Sequence, residues 1–241
     1  LINDFEAVGI SLEVLDEDDF VTLQTGEPID KGVRLLVGAG TGFGVATQVW
    51  QDGQYITLPS EAGHTDFAPR DELQMELLAY LKQQSRQVCI EKVLSGDGLV
   101  RIYEFLCERE LSGREPSDEG ESEPDEEIMK AKARGNAASL ISQRALDNKN
   151  SIEGRALDCF VRVYAAQTAN LALATMATGG VYIAGGIAPK IRERLEERVF
   201  NEVFCENPNM SSLLKQFRLS MVVNPNPGLL GAMHCARQSV A

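Results

Sequence analysis

From Gly32 onward the apolar positions fall into two short runs, Val33-Arg34-Leu35-Leu36-Val37 and Val45-Ala46-Thr47-Gln48-Val49-Trp50, on either side of a glycine-rich stretch. That pattern predicts strand, loop, strand. The spacing changes in residues 71–84, where Leu73, Met75, Leu77, Leu78 and Leu81 recur close to a helical period, and again at Leu99-Val100-Ile102-Tyr103-Phe105-Leu106. Both segments read as amphipathic helices. From Glu153 to Ala177 the chain is apolar on most faces, as a buried central helix requires, until Thr178-Gly179-Gly180 stops it. Val181-Tyr182-Ile183-Ala184 then reads as a buried strand, Gly185 to Pro189 as a turn and residues 190–199 as a charged helix. Met221-Val222-Val223 reads as a further short strand, and Gly228 opens the last helix. At the start, an apolar strand ends at Asn3-Asp4 and a helix is expected from Glu6 to Leu15. No internal repeat is visible.

Residues 115–127, Glu-Pro-Ser-Asp-Glu-Gly-Glu-Ser-Glu-Pro-Asp-Glu-Glu, contain no apolar side chain and read as a solvated surface loop. The chain has 241 residues, enough to bury a core without staples. No apolar run approaches the ~20 residues of a membrane helix, so no membrane role is expected. With 23 Lys and Arg against 36 Asp and Glu, the net charge of −13 repels an extended phosphate backbone, which argues against nucleic acid as a partner. The same charge opposes a nucleotide, so a nucleotide site must gather backbone N–H groups, a helix N-terminus and a metal ion locally. Five cysteines, at 89, 107, 159, 205 and 235, show no CxxC pair and read as thiols in a reducing compartment. There is no signal-peptide pattern. The chain starts without Met, and a missing preceding segment is expected.

Five short segments carry candidate chemistry. Gly38-Ala39-Gly40-Thr41-Gly42-Phe43-Gly44 places glycines where a backbone can approach a ligand closely and where successive N–H groups can hold an anion, with the Thr41 hydroxyl as a further donor. A glycine-rich hairpin turn explains the same residues. The spacing is neither that of a Walker A loop nor that of a dinucleotide fingerprint, because a strand follows where a helix should. Asn3-Asp4 stands at a strand-to-helix junction, where an Asp serves as a helix N-cap or, in phosphoryl transfer to a hydroxyl, as the base that accepts the alcohol proton. Glu61 and His64 are three residues apart around Gly63 and can face one pocket, either as hydroxyl partners or as a zinc pair, although no cysteine cluster follows His64. Glu91 precedes a Ser95-Gly96 turn into the next helix and by itself reads as a surface acid. Gly185-Gly186-Ile187 closes a strand flanked by paired glycines, which leaves room for a flat ring or simply packs tightly.

In this order the stretches LINDFEAV, GAGTGFGVA, LPSEAGHTDFAP, EKVLSGDGL, GGVYIAGGIAPK and NPGLLGA resemble the bacterial-type glucokinase family of the hexokinase and actin-like ATPase superfamily, over almost the whole chain. The resemblance implies an α/β large domain of actin-like, ribonuclease H-like type over residues 1–241, with a mixed central sheet flanked by helices. It implies ATP-dependent phosphorylation of glucose at the 6-hydroxyl, feeding glycolysis in the cytoplasm, by a homodimer. Asp4 is then the base, and Asn3, Glu61, His64 and Glu91 hold the other glucose hydroxyls. Gly38, Gly40, Thr41 and Gly42 cradle the ATP phosphates, while Gly185, Gly186 and Ile187 lie against adenosine. Mg²⁺ accompanies ATP, with no direct protein ligand expected. Family members begin with a small domain bearing an Asp-x-Gly-Gly-Thr loop, so the resemblance implies a chain lacking that domain and inactive alone. Two other readings stand beside it. One is a kinase of the repressor/open-reading-frame/kinase family, whose Cys-x-Cys-Gly-x-x-Gly-Cys zinc cluster this sequence lacks. The other is a non-catalytic sugar-binding or regulatory module of the same fold.

Overall fold

The computed structural model describes residues 2–112 and 125–238. The chain divides into two compact units, one formed by Leu1–Gly63 with Tyr164–Ala241 and the other by His64–Val163. The six strands of the described residues belong to the first, the sheet unit: β1 (Phe20–Gln24), β2 (Arg34–Ala39), β3 (Phe43–Gln51), β4 (Gln54–Ser60), β5 (Gly180–Ala184) and β6 (Leu219–Val222). They lie in the order β1-β6-β5-β2-β3-β4. The inner pairs β6–β5 and β5–β2 are parallel, and β1–β6, β2–β3 and β3–β4 are antiparallel. Leu35 and Val37 of β2 and Val181 and Ile183 of β5 have no exposed surface, which is why these strands read as near-continuous apolar runs.

Helix α1 (Asp4–Ser11) packs along α10 (Pro227–Gln238) and against β3 and β4. The expected helix from Glu6 to Leu15 is displaced to 4–11. The Asn3 cap starts it earlier, and at Leu12 the cap N–H already turns back to the carbonyls of Gly9 and Ile10. The helix expected over 190–199 is broken: α7 (Arg192–Leu195) ends at Glu196, and α8 (Arg198–Phe204) begins anew. The short α9 (Ser211–Leu214) leads into β6.

Two strands went unread. The hairpin between β3 and β4 turns on Asp52-Gly53, both at positive φ (50° and 90°), as a two-residue turn of the mirror-image class requires. β4 ends in Pro59-Ser60 and lies at the sheet edge, where a proline is tolerated. β1, at the opposite edge, slips register between Thr22 and Gln24.

The helical unit holds α2 (Glu72–Gln84), α3 (Gly96–Ser112), α4 (Glu126–Ala133), α5 (Ala137–Asp147) and the first half of α6 (Ile152–Thr175), whose second half, from Tyr164, belongs to the sheet unit. Of the expected acidic loop, residues 115–124 lie outside the described residues. Its last three acids do not form a loop: Asp125 caps α4, accepting from the N–H groups of Glu127 (2.8 Å) and Ile128 (3.1 Å), and Glu126 and Glu127 occupy the first turn, where the helix dipole favours them. No helix of the described residues is long and apolar enough to cross a membrane. None of the five cysteines forms a disulfide, and burial pushes the Cys159 thiol up to about 12.

Candidate active site

Helix α1 is started by a reciprocal cap. The Asn3 side-chain oxygen accepts from the N–H groups of Phe5 (2.8 Å) and Glu6 (3.3 Å), and the Glu6 carboxylate accepts from the Asn3 N–H (3.1 Å). The capping role considered for Asp4 therefore falls to Asn3. Asp4 is the first helical residue, exposed, with one carboxylate oxygen accepting from the Phe5 N–H at 2.8 Å. Its charge sits at the favourable end of the helix dipole and its second oxygen remains available.

Phe5 explains two of the glycines. In the β2–β3 hairpin Gly38 pairs with Gly44. A Cβ at Gly38 would lie 2.6 Å from the Phe5 ring, and one at Gly44 would lie 2.4 Å from it. Both positions are held to glycine by the ring that seats α1, and Gly38 is a buried strand residue rather than part of an open loop. The loop itself narrows to Gly40-Thr41-Gly42, closed by a bond from the Gly40 N–H to the Gly42 carbonyl (2.8 Å). Thr41 is exposed, and nothing lies within 4 Å of the place a Cβ would take on Gly40. Beneath the hairpin, the fully buried Tyr164 hydroxyl accepts from the Ala39 N–H (3.3 Å), and the ring meets Phe43 edge-on at 5.8 Å. Burial raises the Tyr164 phenol far above its ordinary range, partly offset by that N–H, so it stays neutral.

The second glycine segment follows β5. Gly185 has φ +86°, and a Cβ there would lie 2.5 Å from the Ala39 carbonyl oxygen. The same oxygen accepts from the Ile187 N–H at 3.2 Å. Ala39 thus joins the two segments, and Gly186 is exposed with no atom near its Cβ position. Because Gly38 pairs with Ala184, both segments leave the carboxyl ends of adjacent parallel strands, the usual place for a ligand in an open α/β sheet. Phe5 brings the N-terminus of α1, and with it Asp4, to that same end. So does the start of α10, where a Gly228 Cβ would lie 4.0 Å from the Asp4 carbonyl oxygen. β4 returns there as well, since Ser60 pairs with Val45, so Glu61 emerges beside the hairpin. A Cβ on Gly63 would stand 2.2 Å from the Phe43 carbonyl oxygen, so the turn carrying Glu61 lies directly on the glycine hairpin.

In the helical unit, residues 65–67 run antiparallel to 88–90. The Ile90 N–H donates to the Thr65 carbonyl (2.8 Å), Asp66 bridges Cys89, and the Phe67 N–H donates to the Val88 carbonyl (2.9 Å). His64 immediately precedes residue 65 and Glu91 immediately follows residue 90, so both leave the same end of that ladder. His64 is exposed and Glu91 half-buried, each on a single 3₁₀ turn. Ser95 caps the helix that follows, accepting from the Gly98 N–H (3.0 Å). Sequence reasoning overlooked Phe5 and Tyr164. Phe5 had a signal in the glycines that face it, whereas nothing local marks Tyr164. Among the described residues no group of three or more His, Cys, Asp or Glu side chains is placed to hold a metal ion.

A sequence model of the glucokinase family matches residues 1–239. The curated glucokinase of Nostoc sp. strain PCC 7120 is 38% identical over 239 residues, covering 98% of this chain and 70% of that protein. Among solved structures, a glucokinase from an Antarctic psychrotroph superposes with a TM-score of 0.76 at 28% identity, covering 98% of this chain and 68% of the other. The glucokinase of Balamuthia mandrillaris, solved in complex with glucose, superposes with a TM-score of 0.78 over 98% of this chain and 65% of its own; at 21% identity it shows the fold alone. The mixed sheet flanked by helices is the architecture these structures share.

Proposed function

Because the chain belongs to the glucokinase family, we propose that the protein transfers the γ-phosphoryl group of ATP to the 6-hydroxyl of glucose, with Asp4 as the general base. The observation that carries this reading is the shared end of the sheet: an exposed carboxylate, released from capping by Asn3, stands beside two open glycine segments joined through Ala39.

A primary alcohol is a weak nucleophile. Asp4 orients it in line with the γ-phosphorus and takes its proton as the new P–O bond forms. The backbone N–H groups of Gly40 to Gly42 and the Thr41 hydroxyl stabilise charge on the phosphates, with Gly38 supporting the loop from β2. Gly185, Gly186 and Ile187 border the adenosine. Mg²⁺ arriving with ATP would supply positive charge against the transferring group, with no side chain of this chain assigned as its ligand. The Asn3 side-chain oxygen is occupied by the cap, so its amide nitrogen is left to donate to a sugar oxygen. Glu61, His64 and Glu91 are the partners of further hydroxyls. A site that pairs each hydroxyl rejects the wrong epimer, because a mismatch leaves a polar group unsatisfied at a cost of about 1–3 kcal/mol. On the resemblance alone, the protein works as a homodimer in the cytoplasm, at the entry to glycolysis.

The test is a coupled assay of glucose 6-phosphate formation with Mg-ATP on the gene product that carries this chain, with Asp4→Asn beside it. Turnover in the former and its loss in the latter supports both the reaction and the base. Glucose binding without turnover in the former would mark a sugar-binding module instead.

A further inference from the structure

A cavity of about 450 Å³ opens on the α1 face of the sheet, lined by Leu12, Leu15, Phe20 and Tyr182 together with Glu17, Thr22, Arg34, Arg218 and Ser220. It lies away from the glycine segments. Arg34 opens β2, and the five residues to Ala39 span about 16 Å at ~3.3 Å per residue. Strand register explains why the polar groups meet: Leu36 pairs with Tyr182, Tyr182 with Ser220, and Ser220 with Thr22, so these side chains share one face with Arg34.

The polar lining is dominated by donors. Arg34 is engaged, paired with Glu13 at 2.5 Å and stacked 3.6 Å above the Tyr55 ring. Arg218 is exposed, and among the described residues it forms no ion pair with a carboxylate. Its Nε donates to the hydroxyl of Ser220 at 3.3 Å. Ser220 is buried, and among the described residues no acceptor takes its own hydrogen. A buried hydroxyl held by a guanidinium, with its donor unspent, is costly unless something accepts from it. Thr22 and Tyr182 add two more hydroxyls, and the apolar residues give a dry flank. Among the described residues Glu17 is the one carboxylate at the lining, and it can accept from hydroxyls but not hold an anion.

We infer that this cavity is a second small-molecule site, distinct from the proposed nucleotide and sugar sites, that binds a small hydroxylated phosphate monoester. The phosphate takes Arg218, Ser220 and Thr22, and the ligand's hydroxyl donates to Glu17. A guanidinium and hydroxyls in a protein of net charge −13 recognise phosphate locally, against the average field.

Calorimetric titration of the full chain with glycerol 3-phosphate, with glycerol as the control, tests this. The expected result is saturable binding that glycerol does not reproduce, weakened about tenfold or more, ~1.4 kcal/mol, in Arg218→Ala and kept in Gly40→Val. Ser220→Ala, which removes only a hydroxyl, weakens it in the same direction. Retention in Arg218→Ala, loss in Gly40→Val, or no saturable binding to the unaltered chain overturns the inference. None of these outcomes depends on kinase turnover, so failure here leaves the catalytic reading intact.

Discussion

In the sheet unit the candidate residues hang from strand ends and are positioned by backbone packing: Phe5 fills the space over Gly38 and Gly44, and the Ala39 carbonyl fills the space beside Gly185. In the helical unit His64 and Glu91 sit on single 3₁₀ turns, tied by a short ladder between residues 65–67 and 88–90. The first arrangement converts a change at a glycine into a steric conflict within the core. In the second the proposed sugar contacts are side-chain termini, where a conservative change alters a polar group and adds no bulk. On the proposed roles, stability and function are entangled in the sheet unit, whereas in the helical unit a change alters polar contacts first.

The sharpest exception within the sheet unit is Asp4, whose exposed carboxylate accepts from the Phe5 N–H and fills no space beside a glycine. Asp4→Asn is expected to lower kcat by about 10²–10⁴-fold while glucose affinity holds, with only a small drop in melting temperature as the negative charge leaves the helix N-terminus. Steady-state kinetics with a glucose titration and a thermal melt check it, and a comparable loss of glucose affinity would reassign Asp4 to binding.

Two glycines of one hairpin test the entanglement directly. Gly44→Val drives a side chain into the Phe5 ring and is expected to cost about 1–3 kcal/mol in denaturant unfolding. Gly40→Val meets open space, so its stability should stay near that of the parent while the KM for ATP rises. Equal destabilisation by the two would break the contrast. A double-mutant cycle of Gly44→Val with Phe5→Ala should show coupling, since the two share one contact.

For the helical unit, Glu91→Gln is expected to raise the KM for glucose about 10- to 150-fold, the range for one lost charged hydrogen bond of about 1.5–3 kcal/mol, with a smaller effect on melting temperature. A drop in stability instead would make Glu91 a structural residue of the ladder. The smallest effect belongs to Tyr164→Phe, which removes the acceptor of the Ala39 N–H and should cost about 1 kcal/mol, read as a lower unfolding midpoint. If stability is unchanged, the hairpin does not lean on that bond.

Much of this was legible along the chain, and the misses have physical reasons. β2 and β5 announce themselves because Leu35, Leu36 and Val37 and Val181, Ile183 and Ala184 are buried in short apolar runs, and α6 because most of its residues from Ala156 to Ala172 are buried although Arg155 and Asn170 stand at its surface. β4 carries a readable Asp-Gly turn, yet its half-exposed pattern and terminal proline hide it among the motif residues that follow. Helices α4 and α5 follow an acidic, apolar-free stretch, and their short amphipathic faces are weak signals beside it. Asn3 and Asp4 are adjacent polar residues, and which of them caps α1 depends on the direction in which the chain enters the helix.

The sequence by itself determined which residue types are available and in what order: an Asn-Asp pair at a helix start, glycines in two clusters, a Glu-x-Gly-His turn and a charge balance hostile to polyanions. These follow from local propensity and composition, which need no partner. Only the tertiary structure decided what each glycine is for. Gly38 and Gly44 yield to Phe5 and Gly185 to Ala39, whereas Gly40 and Gly186 keep their space open, and the difference lies in which atoms from distant parts of the chain arrive there. The pairing of Arg218 with Ser220 beside Tyr182 is likewise set by strand register, because neighbours across a sheet are chosen by its hydrogen-bond ladder and not by their separation along the chain.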